Sequence, residues 1–366
     1  MTTEQSHLNI WCPLGKTGYG VASLNFIKSL HKQGVVPHVK HMGGIHVNSE
    51  EEKALVEHCI NVWGQMPAYG APSLKIWHEF DQTTSFSGGG KTWAMPIFEP
   101  NKFNDIVKNS LKFPDGLIVN SQWAADVIKA ETNRKASVVP LGVDTDIFQP
   151  PTLSYPAEMA YMTDTYNFLN VGKWEVRKGH DILVDIFNKA FTKDDDVALN
   201  LMPFNPFNSK EETEEWIKKY KESPLGDKIF ILDPVQTHQE LSTIMQQCDC
   251  GIFPSRAEGW NLELLEMMAC GKPVITTNYS AHTEFCNHSN AFLVETPELE
   301  PANDGKWFHG QGDWAKIDDG MIDEFVVHMR RCYESRPFNP DGMMTAAEFS
   351  WDNATKKLME IIGLNG

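Results

Sequence analysis

The chain has 366 residues, of which 41% are hydrophobic and 22% charged, and a formal net charge of −17. The length predicts two domains of ordinary size, and the acidity argues against a protein whose main partner is a phosphate backbone, so nucleic acid is disfavoured. Seven cysteines without a CxxC pair argue against both a disulfide framework and a structural zinc site, and predict buried thiols in a reducing compartment.

The first six residues are polar, and no stretch approaches the roughly 20 apolar residues of a membrane span, so a soluble, cytoplasmic protein is expected. Leu8–Cys12 reads as a strand. The Gly-rich loop GKTGYG (Gly15–Gly20) follows, then a helix over Val21–Gln33 with Gly34 as its stop. Strands are predicted at Val35–Lys40, Leu74–His78, Thr92–Met95, Leu117–Asn120 and Ser137–Val139, and Ser121 is the expected cap of a helix over Gln122–Ala130. Pro150–Thr165, with three prolines and no apolar period, reads as a linker.

A second series follows: strands at Tyr166–Val171, Val197–Met202, Ile229–Leu232, Cys250–Phe253 and Val274–Thr277, with helices at Gly179–Ala190, Lys210–Tyr220 and up to Gln247. Thr237 and Glu240 form a capping box for the last of these. Ser350–Ile362 is an amphipathic helix with Ala354, Leu358 and Ile361 on one face. Alternating strands and helices predict parallel, doubly wound α/β sheets, and two series split by a linker predict two Rossmann-like domains. We place them at 1–155 and 165–345, with the terminal helix 350–363 crossing back to the first. Ligands of such sheets bind beyond the carboxyl ends of the strands, so motifs there take priority.

The segment PSRAEGWNLELLEMMACGKPVI (254–275) lies at one such end. Glu258 falls in the loop, Asn261 is a candidate cap, and the amides of Leu262 and Glu263 are first-turn donors able to bind phosphate oxygens. Glu266 lies one turn on, roughly 5 Å along the axis, where a carboxylate can grip both ribose hydroxyls through bonds worth about 1.5–3 kcal/mol. The competing reading is two surface glutamates on an amphipathic helix. In VGKWEVRKGHDIL (171–183), Lys173, Arg177 and Lys178 end one strand and begin the next helix, where cations can converge on one anion.

Together these segments resemble the retaining nucleotide-sugar glycosyltransferases of the GT-B fold, specifically family GT4, through its EX7E signature and its G-R-x-x-x-x-K-G pattern. The resemblance covers most of the chain and is strongest over 166–295. It implies two Rossmann-like domains facing across a cleft, the first receiving the acceptor and the second clamping the donor. It assigns the transferred sugar to Glu258 and the ribose to Glu266. The amides of Trp260, Asn261 and Leu262 face sugar and diphosphate, and Lys173 and Lys178 neutralise the leaving diphosphate. Gly18 and Gly20 permit close approach between diphosphate and acceptor, with Lys16 as a loosely assigned cation. His78, in WHEFD, touches the donor sugar, Glu79 and Asp81 are weaker acceptor contacts, and Thr283 or Glu284 helps hold the donor. The chain departs from the family at Lys173, where Arg is usual, at Asn261, where Gly or Ser is common, and at Glu263, where Pro is common. The charge of Glu263 is expected to point away from the phosphate.

The expected activity is sugar transfer from a nucleoside diphosphate sugar to an acceptor hydroxyl of a saccharide, lipid or small molecule, with no metal and no other cofactor. The alternatives are a sugar-nucleotide hydrolase or epimerase of the same fold, a transferase acting on modified DNA, and a non-enzymatic nucleotide-sugar binding module. The run Asp194–Asp196 reads as a solvated turn rather than a metal site. Asn101–Lys112 is a basic amphipathic patch that reads first as a plain surface helix, with weak contact with anionic lipid as the alternative.

Overall fold

A computed structural model describes residues 6–65, 68–77, 89–151 and 165–364. The chain divides into two compact units: Met1–Gly142 with Phe349–Gly366, and Val143–Glu348. Residues 152–164, most of the expected linker, lie outside the described residues.

The first unit runs β1 (His7–Leu14), α1 (Gly18–Lys32), β2 (Val36–Ile45), α2 (Glu50–Gln65), β3 (Ser73–Trp77), β4 (Thr92–Pro96), α3 (Asp105–Ser110), β5 (Gly116–Val119), α4 (Gln122–Thr132) and β6 (Ser137–Val138). Its strands form one parallel sheet in the order β2-β1-β3-β4-β5-β6. The order reverses at β1 and β3, which makes their carboxyl ends the switch point. Leu8, Ile10 and Cys12 on β1 and Phe26, Ile27 and Leu30 on α1 are fully buried. α4 begins where Ser121 Oγ accepts from Ala124 N at 3.2 Å, and ends at Asn133 in the left-handed region.

The terminal helix α11 (Trp351–Ile362) belongs to this unit. Ser350 caps it, Trp351 meets the edge of Phe26 at 5.4 Å, and Asp352 accepts from Ser29 Oγ at 2.7 Å. Its buried stripe is Trp351, Ala354, Thr355, Leu358, Met359 and Ile362. Ile361, expected on that face, is only partly covered, because steps of four from Ala354 reach Ile362 instead. One other expectation fails locally. Helix α1 starts at Gly18, so Gly18 and Gly20 occupy its first turn rather than a loop. The stretch 101–112 forms only the short α3, capped by Asn104, with Lys108 paired to Glu131 at 2.9 Å, so no long amphipathic face results.

The second unit runs β7 (Tyr166–Val171), α5 (His180–Ala190), β8 (Val197–Met202), α6 (Lys210–Lys221), β9 (Ile229–Ile231), α7 (His238–Gln247), β10 (Cys250–Phe253), α8 (Leu262–Ala269), β11 (Val274–Asn278), β12 (Phe292–Glu295), β13 (Leu299–Asn303), β14 (His309–Ala315), α9 (Asp319–Ser335) and α10 (Pro340–Glu348). The parallel sheet has the order β12-β11-β10-β7-β8-β9, and β13 pairs with β14 as an antiparallel hairpin. Counted within the unit this is 6-5-4-1-2-3, the order of doubly wound dinucleotide-binding sheets, with its switch point between β7 and β10. Phe168, Leu199, Ile252 and Ile275 of the strands pack with Leu183 and Phe187 of α5 and Phe325 and Met329 of α9. The predicted capping box on α7 forms, and Ser209 with Glu212 makes a second on α6. All seven cysteines are free and buried. No helix among the described residues is long and apolar enough to cross a membrane.

Candidate functional site

Strands β7 and β10 are direct neighbours, with Phe168 opposite Cys250 and Leu169 opposite Gly251. The loops leaving them, 172–179 and 254–261, therefore emerge side by side at the switch point. Arg256 staples one to the other. Its N–H donates to the Arg177 carbonyl at 2.7 Å, and its guanidinium reaches the Val176 carbonyl at 2.6 Å and both carboxylate oxygens of Asp181 at 2.8 and 2.9 Å. Gly179 has φ 77, and a Cβ there would fall 2.1 Å from the Pro254 carbonyl oxygen. The approach of the two loops therefore requires glycine at this position.

Five charged side chains alternate in sign along this seam. Lys173 Nζ pairs with Glu175 at 2.8 Å, Glu175 with Arg177 at 2.9 Å, Arg177 with Glu258 at 2.7 Å, and Glu258 with Lys178 at 2.8 Å. Ser255 Oγ also donates to Glu258 at 2.8 Å, and Arg177 donates to the Ala257 carbonyl at 2.9 Å. The Glu258 side chain is 5% exposed. Burial alone would raise its carboxyl, but Arg177 and Lys178 reverse that and hold it well below the usual carboxylate range. Burial would likewise push the Lys178 ammonium down, yet Glu258 and Glu263 keep it above its ordinary value. Glu263 thus adds to the electrostatics at Lys178. Glu175 is held down in the same way, its burial outweighed by Arg177 and Lys173. Lys173 is the outermost cation, its side chain 27% exposed.

Glu266 contrasts with Glu258. It is buried on α8, and among the described residues no hydrogen bond or ion pair meets its carboxylate. Burial, with Glu263 adding to it, raises its carboxyl well above the ordinary value of 4.5. The folded state therefore keeps a proton that the unfolded state gives up. The stability this group contributes is full below about pH 4.5 and is lost as pH rises toward the folded value. Glu266→Gln, which mimics the protonated form, is expected to raise the unfolding midpoint of the unliganded protein at pH 7 and to have little effect at pH 4.5. Melting curves at the two pH values check this, and a midpoint that drops at pH 7 contradicts it.

Asn261 does not cap α8 through its side chain. It sits at φ 86, and its Nδ2 instead donates to His282 Nε2 at 2.9 Å. His282, on the short 3-10 turn Ser280–Glu284, directs Nδ1 at the Thr277 carbonyl at 3.0 Å and at Thr276 Oγ1 at 3.0 Å. Burial pushes its imidazole down to about 4, so it is neutral with the proton on Nδ1. Ser280, itself at φ 53, accepts from Glu258 N at 2.8 Å. Trp260 is buried against Phe285, ring centres 4.8 Å apart.

The structure thus gathers Lys173, Arg177, Lys178, Glu258, Trp260, Asn261, Leu262 and Glu266 around one sheet end. Thr283 does not join them: it is exposed and its hydroxyl donates to the Ser280 carbonyl at 2.7 Å. Its neighbours Ser280 and His282 enter the network, together with Glu175, Ser255 and Arg256, none of which the sequence pattern singled out. In the first unit, Gly18 and Gly20 lie in the first turn of α1, where a Cβ on Gly20 would fall 2.0 Å from the Gly15 carbonyl oxygen, and Lys16 is exposed. His78, Glu79 and Asp81 lie outside the described residues. Asp195 pairs with Arg330 of α9 at 2.7 Å and Asp196 accepts from Thr165 at 2.5 Å, so two of the three carboxylates of that run are engaged by residues outside the turn, and Asp194 is exposed.

Residues 165–302 match the family model described as Glycosyl transferases group 1. A D-inositol 3-phosphate glycosyltransferase of Stackebrandtia nassauensis is 23% identical over 310 residues, covering 82% of this chain and 65% of that protein. An uncharacterized glycosyltransferase of Methanocaldococcus jannaschii is 28% identical over 262 residues, covering 63% of this chain and 65% of that protein. The chain therefore spans slightly less than two thirds of the length of these relatives. Among solved structures, Anabaena HepE in complex with UDP and glucose matches with a TM-score of 0.70 at 14% identity, covering 98% of this chain and 100% of that chain. A glycosyltransferase from Rickettsia africae matches at 0.67 with 16% identity, covering 98% of each. The fold, two six-stranded parallel sheets in separate α/β units, is that of the GT-B class.

Proposed function

From a chain whose residues 165–302 match the glycosyl transferases group 1 family, we propose that this protein moves a sugar from a nucleoside diphosphate carrier to an acceptor hydroxyl, with retention at the anomeric carbon and without a metal ion. The observation that carries this reading is the pairing of opposites at one sheet end: a relay of cations led by Lys173 and Lys178, and one turn into α8 a buried Glu266 carboxyl that no hydrogen bond or ion pair meets among the described residues. The relay suits a diphosphate. The carboxyl suits the two hydroxyls of a ribose, and the first-turn amides of α8, between Glu258 and Glu266 in the chain, suit the phosphate oxygens.

In the proposed step the bond between the anomeric carbon and the diphosphate oxygen breaks. The acceptor oxygen bonds to the same face of that carbon, and its proton passes to the departing phosphate. Glu258 is a poor base or nucleophile here, because two cations and a hydroxyl already occupy it and hold it ionised. It orients the sugar and fixes Arg177 and Lys178. Catalysis then consists of positioning and of charge stabilisation on the leaving group.

A thermal-shift series with UDP-glucose, GDP-mannose and ADP-glucose, each with and without EDTA, tests the reading. A donor at 100 times its dissociation constant adds about 2.7 kcal/mol. One donor class is expected to raise the midpoint equally in the presence and absence of EDTA. No response to any of them at millimolar concentration sinks the proposal, and a response that EDTA abolishes sinks its metal independence.

A further inference from the structure

The loop between Glu258 and α8 holds a buried acceptor that no donor among the described residues fills. Asn261 is 5% exposed, and its Oδ1 has no hydrogen-bond partner among the described residues. The orientation of this amide is set by its surroundings. Thr276 Oγ1 and Thr277 Oγ1 spend their own protons on the Phe253 and Ser255 carbonyls at 3.0 and 2.7 Å, so all three atoms facing His282 Nδ1, these two oxygens and the Thr277 carbonyl, are acceptors. Nδ1 must therefore carry the proton and Nε2 must accept. The Asn261 group in contact with Nε2 is consequently the NH2, and the carbonyl oxygen is the end left unmet. Leaving a buried acceptor unmet is costly. The same residue also holds φ 86, a conformation that favours glycine. Two costs at one position, three residues from Glu258, point to a ligand.

We propose that Asn261 Oδ1 accepts a hydrogen bond from a hydroxyl of the transferred sugar, and that His282 is the positioning residue that holds the amide in that sense. The inference rests on the donor reading above and adds to it a side chain that selects the sugar. A phosphate oxygen cannot fill the site, because acceptor would face acceptor. A pyranose brings hydroxyl donors to the loop whose Glu258 backbone N–H and carboxylate are already engaged.

The test uses the full chain, with UDP-glucose, GDP-mannose, their monodeoxy-sugar analogues, and UDP and GDP alone. Asn261→Gly suits the backbone, and its melting curve reports whether the fold is kept; Asn261→Ser is the second variant. Both are expected to bind the free nucleotide as the wild type does and to bind the intact donor about tenfold more weakly, the scale of one hydrogen bond. One deoxy analogue, weakened about tenfold on the wild type for the same reason, should lose nothing further on either variant. His282→Gln should weaken the intact donor while leaving that analogue unchanged, a pattern that general loosening of the loop does not produce. Intact-donor affinity equal to wild type in Asn261→Gly, or equal losses for every deoxy analogue, overturns the proposal. If the wild type binds neither nucleotide nor donor, the donor reading itself fails and this inference falls with it.

Discussion

Lys178→Ala is expected to slow sugar transfer by about 10²–10³-fold, the cost of removing one preorganised group from a developing oxyanion, with little change in donor affinity. The ammonium is buried at the end of the relay, and Glu258 and Glu263 hold it protonated, so its charge is present before the leaving group acquires any. The fold should survive, because Glu258 keeps Arg177 and Ser255 when Lys178 is gone. Lys173→Ala provides the internal comparison. That side chain is more exposed and already committed to Glu175, so its loss should cost less. Steady-state kinetics on both variants, with the donor found in the thermal-shift series, decide the point. A Lys178→Ala enzyme with wild-type turnover removes this residue from the mechanism.

Much of this site was legible because it depends on local spacing. Strands β8 and β10 begin and end where the apolar runs Val197–Met202 and Cys250–Phe253 predict. The Thr237–Glu240 capping box forms as its three-residue spacing requires. Glu258 and Glu266 fall in loop and helix because Asn261 and the apolar run after it mark the boundary. What the spacing did not reveal depends on groups far apart in sequence. Arg256 looks like one more polar loop residue until β7 and β10 pair and bring Arg177 and Asp181 to it. Glu175 becomes the bridge between Lys173 and Arg177 only in the folded turn. The sequence points to Thr283 rather than His282, one residue before it; the 3-10 turn after β11 turns the imidazole inward and leaves Thr283 exposed. By residue type Asn261 is a candidate helix cap. Its left-handed backbone turns the side chain to His282 instead.

Glu258→Ala is expected to lower stability by about 3–5 kcal/mol, the usual cost of leaving one side of a buried ion pair uncompensated. Here two cations, Arg177 and Lys178, are left behind together. At about 2–4 °C per kcal/mol for a domain of this size, the midpoint should drop well beyond measurement error. Two further readouts separate this from simple loss of packing. The first is pH. Glu258 is held below its ordinary value of 4.5, so its contribution is complete above that pH and lost as pH falls toward the folded value. The gap between wild type and Glu258→Gln should therefore be constant near neutrality and close under acid. The second is anion binding. With the internal carboxylate removed, the freed cations should bind pyrophosphate more tightly than in the wild type, and added pyrophosphate should restore more of the variant's stability than it adds to the wild type. A packing defect would show neither response. If the deficit persists unchanged under acid and pyrophosphate restores nothing, Glu258 acts by filling space rather than by balancing charge, and the electrostatic account of the relay is wrong.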